Sequence, residues 1–155
     1  VRSARAASSA DVAVAEFDVE PVFEAPIRPE AFAAELRAAV AGRLDLDDRL
    51  RERARAYGRL RPPEAARPAA PTVTFHADET PTAAIAEVRA PDAIGVLYRI
   101  ARALLAAGLD IRLAKIATLG HEVVDTFYVV DARDGRPPRP EVLSGVEAGV
   151  LEALA

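Results

Sequence analysis

One loop of this chain has the residue types and spacing to bind something. In Arg89-Ala90-Pro91-Asp92-Ala93-Ile94-Gly95-Val96-Leu97 a strand-like run gives way to a helical pattern, with Asp92 at the junction. Asp92 is expected to cap a helix over 93–107 by accepting hydrogen bonds from its first-turn amides. Amides at a helix start favour an anionic group such as a carboxylate. Gly95 has no Cβ, so a ligand could approach the main chain there. The plainer reading of the same residues is an N-cap and a glycine that allows close helix–sheet packing.

The other candidates are weaker. His76 and His121 have no carboxylate or second histidine at ligand spacing, and Asp131-Ala132-Arg133-Asp134-Gly135 lacks the ligand count of a calcium loop. A solvated turn accounts better for that run. There is no cysteine, which excludes disulfides, thiolate catalysis and Cys-based metal sites. No Ser–His–acid set, phosphate-binding glycine loop or paired-Asp polymerase signature is present, so the expectation is no catalytic residue and no metal site. The net charge is −4, and three Tyr and five Phe are the only aromatic residues. A nucleic-acid-binding sheet would want a basic face with stacking aromatics. The basic run at 49–55 is interleaved with Asp45, Asp47, Asp48 and Glu52 and reads as a solvated helix face. With no secretion signal and no long apolar run, a soluble cytoplasmic protein without membrane contact is expected.

The elements that must position the loop are legible around it. Short strands are expected at 72–76 and 83–89, then the helix with Ile94, Leu97, Ile100, Ala101, Leu104 and Leu105 as its apolar stripe. Gly108 stands where a helix stop belongs. Strands at 111–119 and 123–131 follow, turning at Gly120-His121, and a helix over 140–154 closes the chain. Strand, helix, strand, strand, helix is a ferredoxin-like split β-α-β unit lacking its last strand, which 72–76 can replace by pairing with 83–89.

Residues 1–20 repeat residues 111–130 without a gap, with Arg2/Arg112, Ala4/Ala114, Ala7/Ala117, Val14/Val124, Phe17/Phe127 and Val19/Val129 identical. Two copies of one supersecondary unit are therefore expected, the first a hairpin turning at Ser9-Ala10-Asp11. The strand and helix at 83–110 have no counterpart before Val1, so the first copy is expected to be truncated and the chain to be a piece of something longer. Helices are expected from Glu30 to Gly42, with Phe32, Leu36, Ala39 and Val40 on one face, and over 46–57. The expected organisation is a partial first module with a trailing helix at 1–60, a Pro-rich linker at 61–71 and a second module at 72–155. Strands 1–8 and 111–119 should be the edges of their modules and should pair, joining both into one antiparallel α+β sheet.

The second module, VRAPDAIGVLYRIARALLAAGLDIRLAKIATLGHEVVDTFYVVDARDG, resembles the ACT domain, a small-molecule sensing module of ferredoxin-like fold. More narrowly, Leu97-Tyr98-Arg99-Ile100-Ala101 and IRLAKIATLGHEVVDTFYVVD resemble the C-terminal ACT repeat of the bifunctional uridylyltransferase/uridylyl-removing family of nitrogen regulation. The first module is similar to the penultimate ACT domain of that family, entered at its second strand. The resemblance implies glutamine, or another small amino acid, as ligand, with Asp92, Ala93, Ile94, Gly95, Val96 and Leu97 as the ligand loop. It also implies upstream nucleotidyltransferase and phosphohydrolase domains using a divalent metal, magnesium, and the PII signal protein as their partner. The family usually carries Arg-Pro where this chain has Ala93-Ile94, and Asp-Asn where it has His76-Ala77. Two alternatives stand beside this reading: an ACT-repeat binding module with no transferase attached, and an ACT pair that only holds subunits together.

Overall fold

The computed structural model describes residues 1–9, 12–20, 28–60, 69–77 and 80–155. Strands are β1 (Ser3–Ser9), β2 (Val12–Asp18), β3 (Thr72–His76), β4 (Ala84–Pro91), β5 (Leu109–Leu119) and β6 (Glu122–Asp131). Helices are α1 (Pro29–Val40), α2 (Leu46–Leu60), α3 (Val96–Ala106) and α4 (Pro140–Leu154). The chain folds as two compact units: Val1–Val19, Arg67–Asp92 and Val96–Ala155 form one, Glu20–Ala66 with Ala93–Gly95 the other.

In the first unit all six strands make one sheet, in the order β2-β1-β5-β6-β4-β3, each neighbour antiparallel. This α+β arrangement is the ferredoxin-like, ACT-like fold anticipated from the sequence. Strand β3 takes the edge beside β4, and β1 pairs with β5, as the pattern required. Period-two alternation puts Val123, Phe127 and Val129 of β6 on one face with Val88 of β4, where Ile100 and Leu104 of α3 and Leu143, Val146 and Val150 of α4 cover them. Burying side chains of this size stabilises by roughly 1.5–3 kcal/mol each, so the fold rests chiefly on this layer.

The seam between the hairpins has its own symmetry. Arg5 faces Lys115, its repeat counterpart, while Ser3 faces Ala117 and Ala7 faces Leu113. The two copies are thus related by a local two-fold through the Arg5/Lys115 pair. Side chains follow it: Ser8 Oγ donates to the Ile111 carbonyl at 2.8 Å, and Thr118 Oγ1 donates to the Val1 carbonyl at 2.7 Å.

Helix α3 ends as expected, with Gly108 at φ 77° and its amide donating to the Leu105 carbonyl at 2.9 Å. The turn after β6 closes on itself: the Asp131 carboxylate accepts from the Arg133 amide and guanidinium, and the Asp134 carboxylate accepts from the Arg136 amide. That engagement, with Arg133 first, holds the Asp131 carboxyl down at about 2.

In the second unit, α1 ends in a paired cap. The Gly42 amide donates to the Ala39 carbonyl and the Arg43 amide to the Ala38 carbonyl, with Gly42 at positive φ. The stripe at Phe32, Leu36 and Val40 was expected to be a packing face, yet α1 buries no residue. Helix α2 is capped by Asp45, whose Oδ1 accepts from the Asp48 amide at 2.9 Å, and Arg49 of α2 pairs with Glu35 of α1 at 2.9 Å. The expected turn residues Ala10-Asp11 and the linker residues 61–68 lie outside the described residues.

Candidate functional site

The loop between β4 and α3 differs from its expected form at the cap. Helix α3 begins at Val96, not at residue 93, so Asp92 is not its N-cap. The reason lies in Gly95, whose φ of 83° is a left-handed conformation that cannot continue a right-handed helix. Asp92 instead prolongs the strand pairing, its amide donating to the His121 carbonyl at 2.8 Å. It stands beyond Pro91, which faces Glu122 across the β4–β6 ladder. No acidic residue occupies the first turn of α3. By helix geometry the amides of that turn have no partner within the helix, and such a turn favours an anion.

The six sequence-predicted residues fall in two groups. Asp92, Val96 and Leu97 belong to the sheet unit; Val96 is buried in its core and Leu97 packs against that core. Ala93, Ile94 and Gly95 belong to the helical unit. There Gly95 lies beneath Leu50 of α2: a Cβ added to it would come 3.4 Å from Leu50 Cδ1. The space that a missing side chain was expected to leave for a ligand is held by Leu50. Glycine is needed at 95 for its backbone conformation, since a Cβ there would meet Leu50 only in ordinary van der Waals contact.

Sequence reading passed over Asp125. It sits on β6 between Val123 and Phe127, opposite Val88 of β4, on the apolar face of the strand. It is fully buried, and neither carboxylate oxygen has a hydrogen-bond partner. Burial pushes its carboxyl up to about 6, with the charge of Asp92 adding to it, while the Ala117 amide pulls the other way. The β5–β6 ladder keeps one register from Leu113↔Tyr128 to Leu119↔Glu122, on both sides of Asp125, with its irregularity between Ile111 and Leu113. The signal was present in the sequence: in Val123-x-Asp125-x-Phe127-x-Val129 the alternation that buries the apolar residues also buries the acid.

Among the described residues there is no group of three or more His, Cys, Asp or Glu side chains placed to hold a metal ion, and no helix long and apolar enough to cross a membrane. His76 ends β3 and His121 lies in the β5–β6 turn.

Comparison with known proteins gives one consistent answer. The chain is 42% identical over 126 residues to the bifunctional uridylyltransferase/uridylyl-removing enzyme of Streptomyces coelicolor, covering 79% of this chain and 15% of that protein. It is 40% identical over 86 residues to the enzyme of the same name from Pseudomonas aeruginosa, covering 56% of this chain and 10% of that protein. The Pseudomonas fluorescens enzyme is 37% identical over 86 residues, again 10% of its length. No protein-family profile and no solved structure matches the chain. The chain spans 15% of the length of the Streptomyces coelicolor enzyme and 10% of the Pseudomonas aeruginosa one, so it is similar to one segment of these bifunctional uridylyltransferase/uridylyl-removing enzymes.

Proposed function

We propose that this chain is a C-terminal regulatory segment of a uridylyltransferase/uridylyl-removing enzyme, and that it senses glutamine through the loop from Asp92 to Leu97. In this reading it is not catalytic. It biases the enzyme's distant domains, with their divalent metal, between adding UMP to and removing it from the PII protein, and it works in the cytoplasm. The observation that carries the reading is the β4–α3 loop of an ACT-like sheet, with Gly95 at positive φ and no acidic residue in the helix turn after it, in a chain related to these enzymes. A helix N-terminus accepts an α-carboxylate.

Titration calorimetry of the 155-residue chain with glutamine tests the proposal. Saturable binding that Val96→Pro weakens supports it, because that substitution removes one loop amide at a position where a proline suits the helix start. Absence of heat with glutamine and with every other amino acid rejects it. A second reading, that the segment only assembles subunits, is favoured by β2, an edge strand exposed along its whole length. Sedimentation that shows stable oligomers, in a chain that binds no amino acid, would select that reading.

A further inference from the structure

We infer that helix α2 is a lid on the ligand loop: Leu50 occupies the approach to the Gly95 main chain, and an amino acid binds there only when Leu50 withdraws. This rests on the sensing reading above and adds a regulatory contact to it. The contact lies wholly within the helical unit, which holds both α2 and Ala93–Gly95.

Its distances define it. A Cβ built on Gly95 would lie 3.4 Å from Leu50 Cδ1, 3.7 Å from Leu50 Cβ and 3.8 Å from Leu50 Cδ2. A methyl group would therefore just touch the leucine. A ligand needs more room. An atom hydrogen-bonded to a backbone nitrogen stands about 3 Å from it, and it must keep about 3.5–4 Å from a carbon. On the side of Gly95 that faces Leu50 both distances cannot be met at once. Leucine also offers no hydrogen bond to a carboxylate and would strip it of water on that side, which is costly for a charged group. A seated Leu50 and a ligand on this stretch of main chain exclude each other.

The sequence of α2 suits a helix that is lightly seated. Leu46, Leu50, Ala54 and Tyr57 stand at i, i+4, i+8 and i+11 and make one narrow apolar face. The residues between them are almost all charged, and Leu50 itself is only half-buried. The Arg49–Glu35 pair ties α2 to α1 at 2.9 Å, but its side chains are 41% and 55% exposed, and ion pairs so open to water hold little. Helix α1 in turn buries no residue. The Asp45 cap keeps α2 helical without fixing it to the loop. Gly95, by contrast, is set by its left-handed backbone at φ 83°. Of the two partners in the contact, the helix is the one that gives way. Ligand binding thereby becomes release of a helix, the kind of change a regulatory segment passes on.

The test uses the 155-residue chain, titration calorimetry with glutamine and then the other amino acids, and hydrogen exchange of the α2 amides. A closed lid lowers apparent affinity by the fraction of chains that are open, so Leu50→Ala is expected to bind glutamine about 5-fold or more tightly than the unsubstituted chain. Saturating glutamine should speed exchange across α2 in the unsubstituted chain. Binding to Leu50→Ala alone would support the lid in its tightest form. Equal or weaker binding by Leu50→Ala, or unchanged or slower exchange of α2 with ligand bound, overturns the lid. Leu50 would then be a wall of the site or lie apart from it, and the sensing reading survives. If no amino acid binds either chain, both fall. Should Leu50→Ala fail to fold, exchange in the unsubstituted chain still decides.

Discussion

Phe17 and Phe127 occupy the same place in two copies of one hairpin, yet Phe17 is 47% exposed and Phe127 0%. Val19 and Val129 differ in the same sense, at 42% and 0%. The local sequences do not explain this, since the flanking valines match as well. The difference comes from the neighbours. Strand β6 has β5 on one side and β4 on the other, with α3 and α4 covering its apolar face, whereas β2 is bonded only to β1 and forms an edge. A hairpin therefore specifies which residues share a face, and the elements beside it decide whether that face is a core. Substituting equivalent residues in both copies measures what the neighbours contribute.

The largest contrast should come from the phenylalanines themselves. Phe127→Ala removes a buried ring from the centre of the core and should destabilise by about 3–5 kcal/mol. Phe17→Ala removes a half-exposed ring at an edge and should cost less than about 1 kcal/mol. Urea unfolding of both variants, read with an unchanged denaturant slope, gives the comparison. Equal losses would mean that β2 is covered in solution by a second copy or another protein. Hydrogen exchange should agree, with β2 amides opening far more readily than those of β6.

Next in size is the pair that differs chemically, Ala15 and Asp125. The carboxyl of Asp125 is raised to about 6 in the folded chain, above its ordinary value of 3.8. Between those values the folded state binds more protons than the unfolded one, so stability from this group falls as pH rises from about 4 to about 6 and is level above that. The full difference corresponds to roughly 3 kcal/mol. Asp125→Asn should therefore stabilise the chain at pH 7 by up to about 3 kcal/mol and should remove that slope. At pH 3, where the acid is protonated in both states, the two chains should differ little. Ala15→Asp, on an exposed strand, should change stability by no more than about 0.5 kcal/mol at any pH.

These contrasts also show how far the sequence could be read. The strand and helix pattern, the β1–β5 junction and the placing of β3 beside β4 followed from alternation, glycine stops and the repeat, because each is set by local periodicity or by an edge that must be paired. The cap at Asp92 was misread, because an Asp before a helical pattern looks the same whether the helix starts at once or after a left-handed glycine. Asp125 went unnoticed because a search for clusters of polar residues ignores a single acid in an apolar register. Leu50 could not be placed over Gly95 at all, since that contact joins residues 45 positions apart in sequence with no periodic signal between them. Exposure of Phe32, Leu36 and Val40 was equally hidden: a stripe shows which face is apolar and not what meets it.

The smallest contrast lies in the seam, where the copies are most nearly equal. Ser8 and Thr118 are repeat counterparts, and each hydroxyl reaches across to the backbone carbonyl of the residue that begins the other copy, Ile111 or Val1. The distances are almost the same, 2.8 and 2.7 Å, but the Ser8 bond is partly buried and the Thr118 bond exposed. A hydrogen bond's net contribution is about 0.5–1.5 kcal/mol, and water replaces an exposed partner more readily than a buried one. Ser8→Ala should therefore cost about 1 kcal/mol, and Thr118→Val less than about 0.5 kcal/mol, since the valine keeps the β-branched shape that suits a strand. The double variant should show near-additive losses, because the two bonds lie at opposite ends of the β1–β5 pairing and share no partner. Losses in the reverse order would mean that Val1, not Ile111, is the firmer end of the junction. A strongly non-additive pair would mean that the two hairpins separate as a unit once either end is loosened.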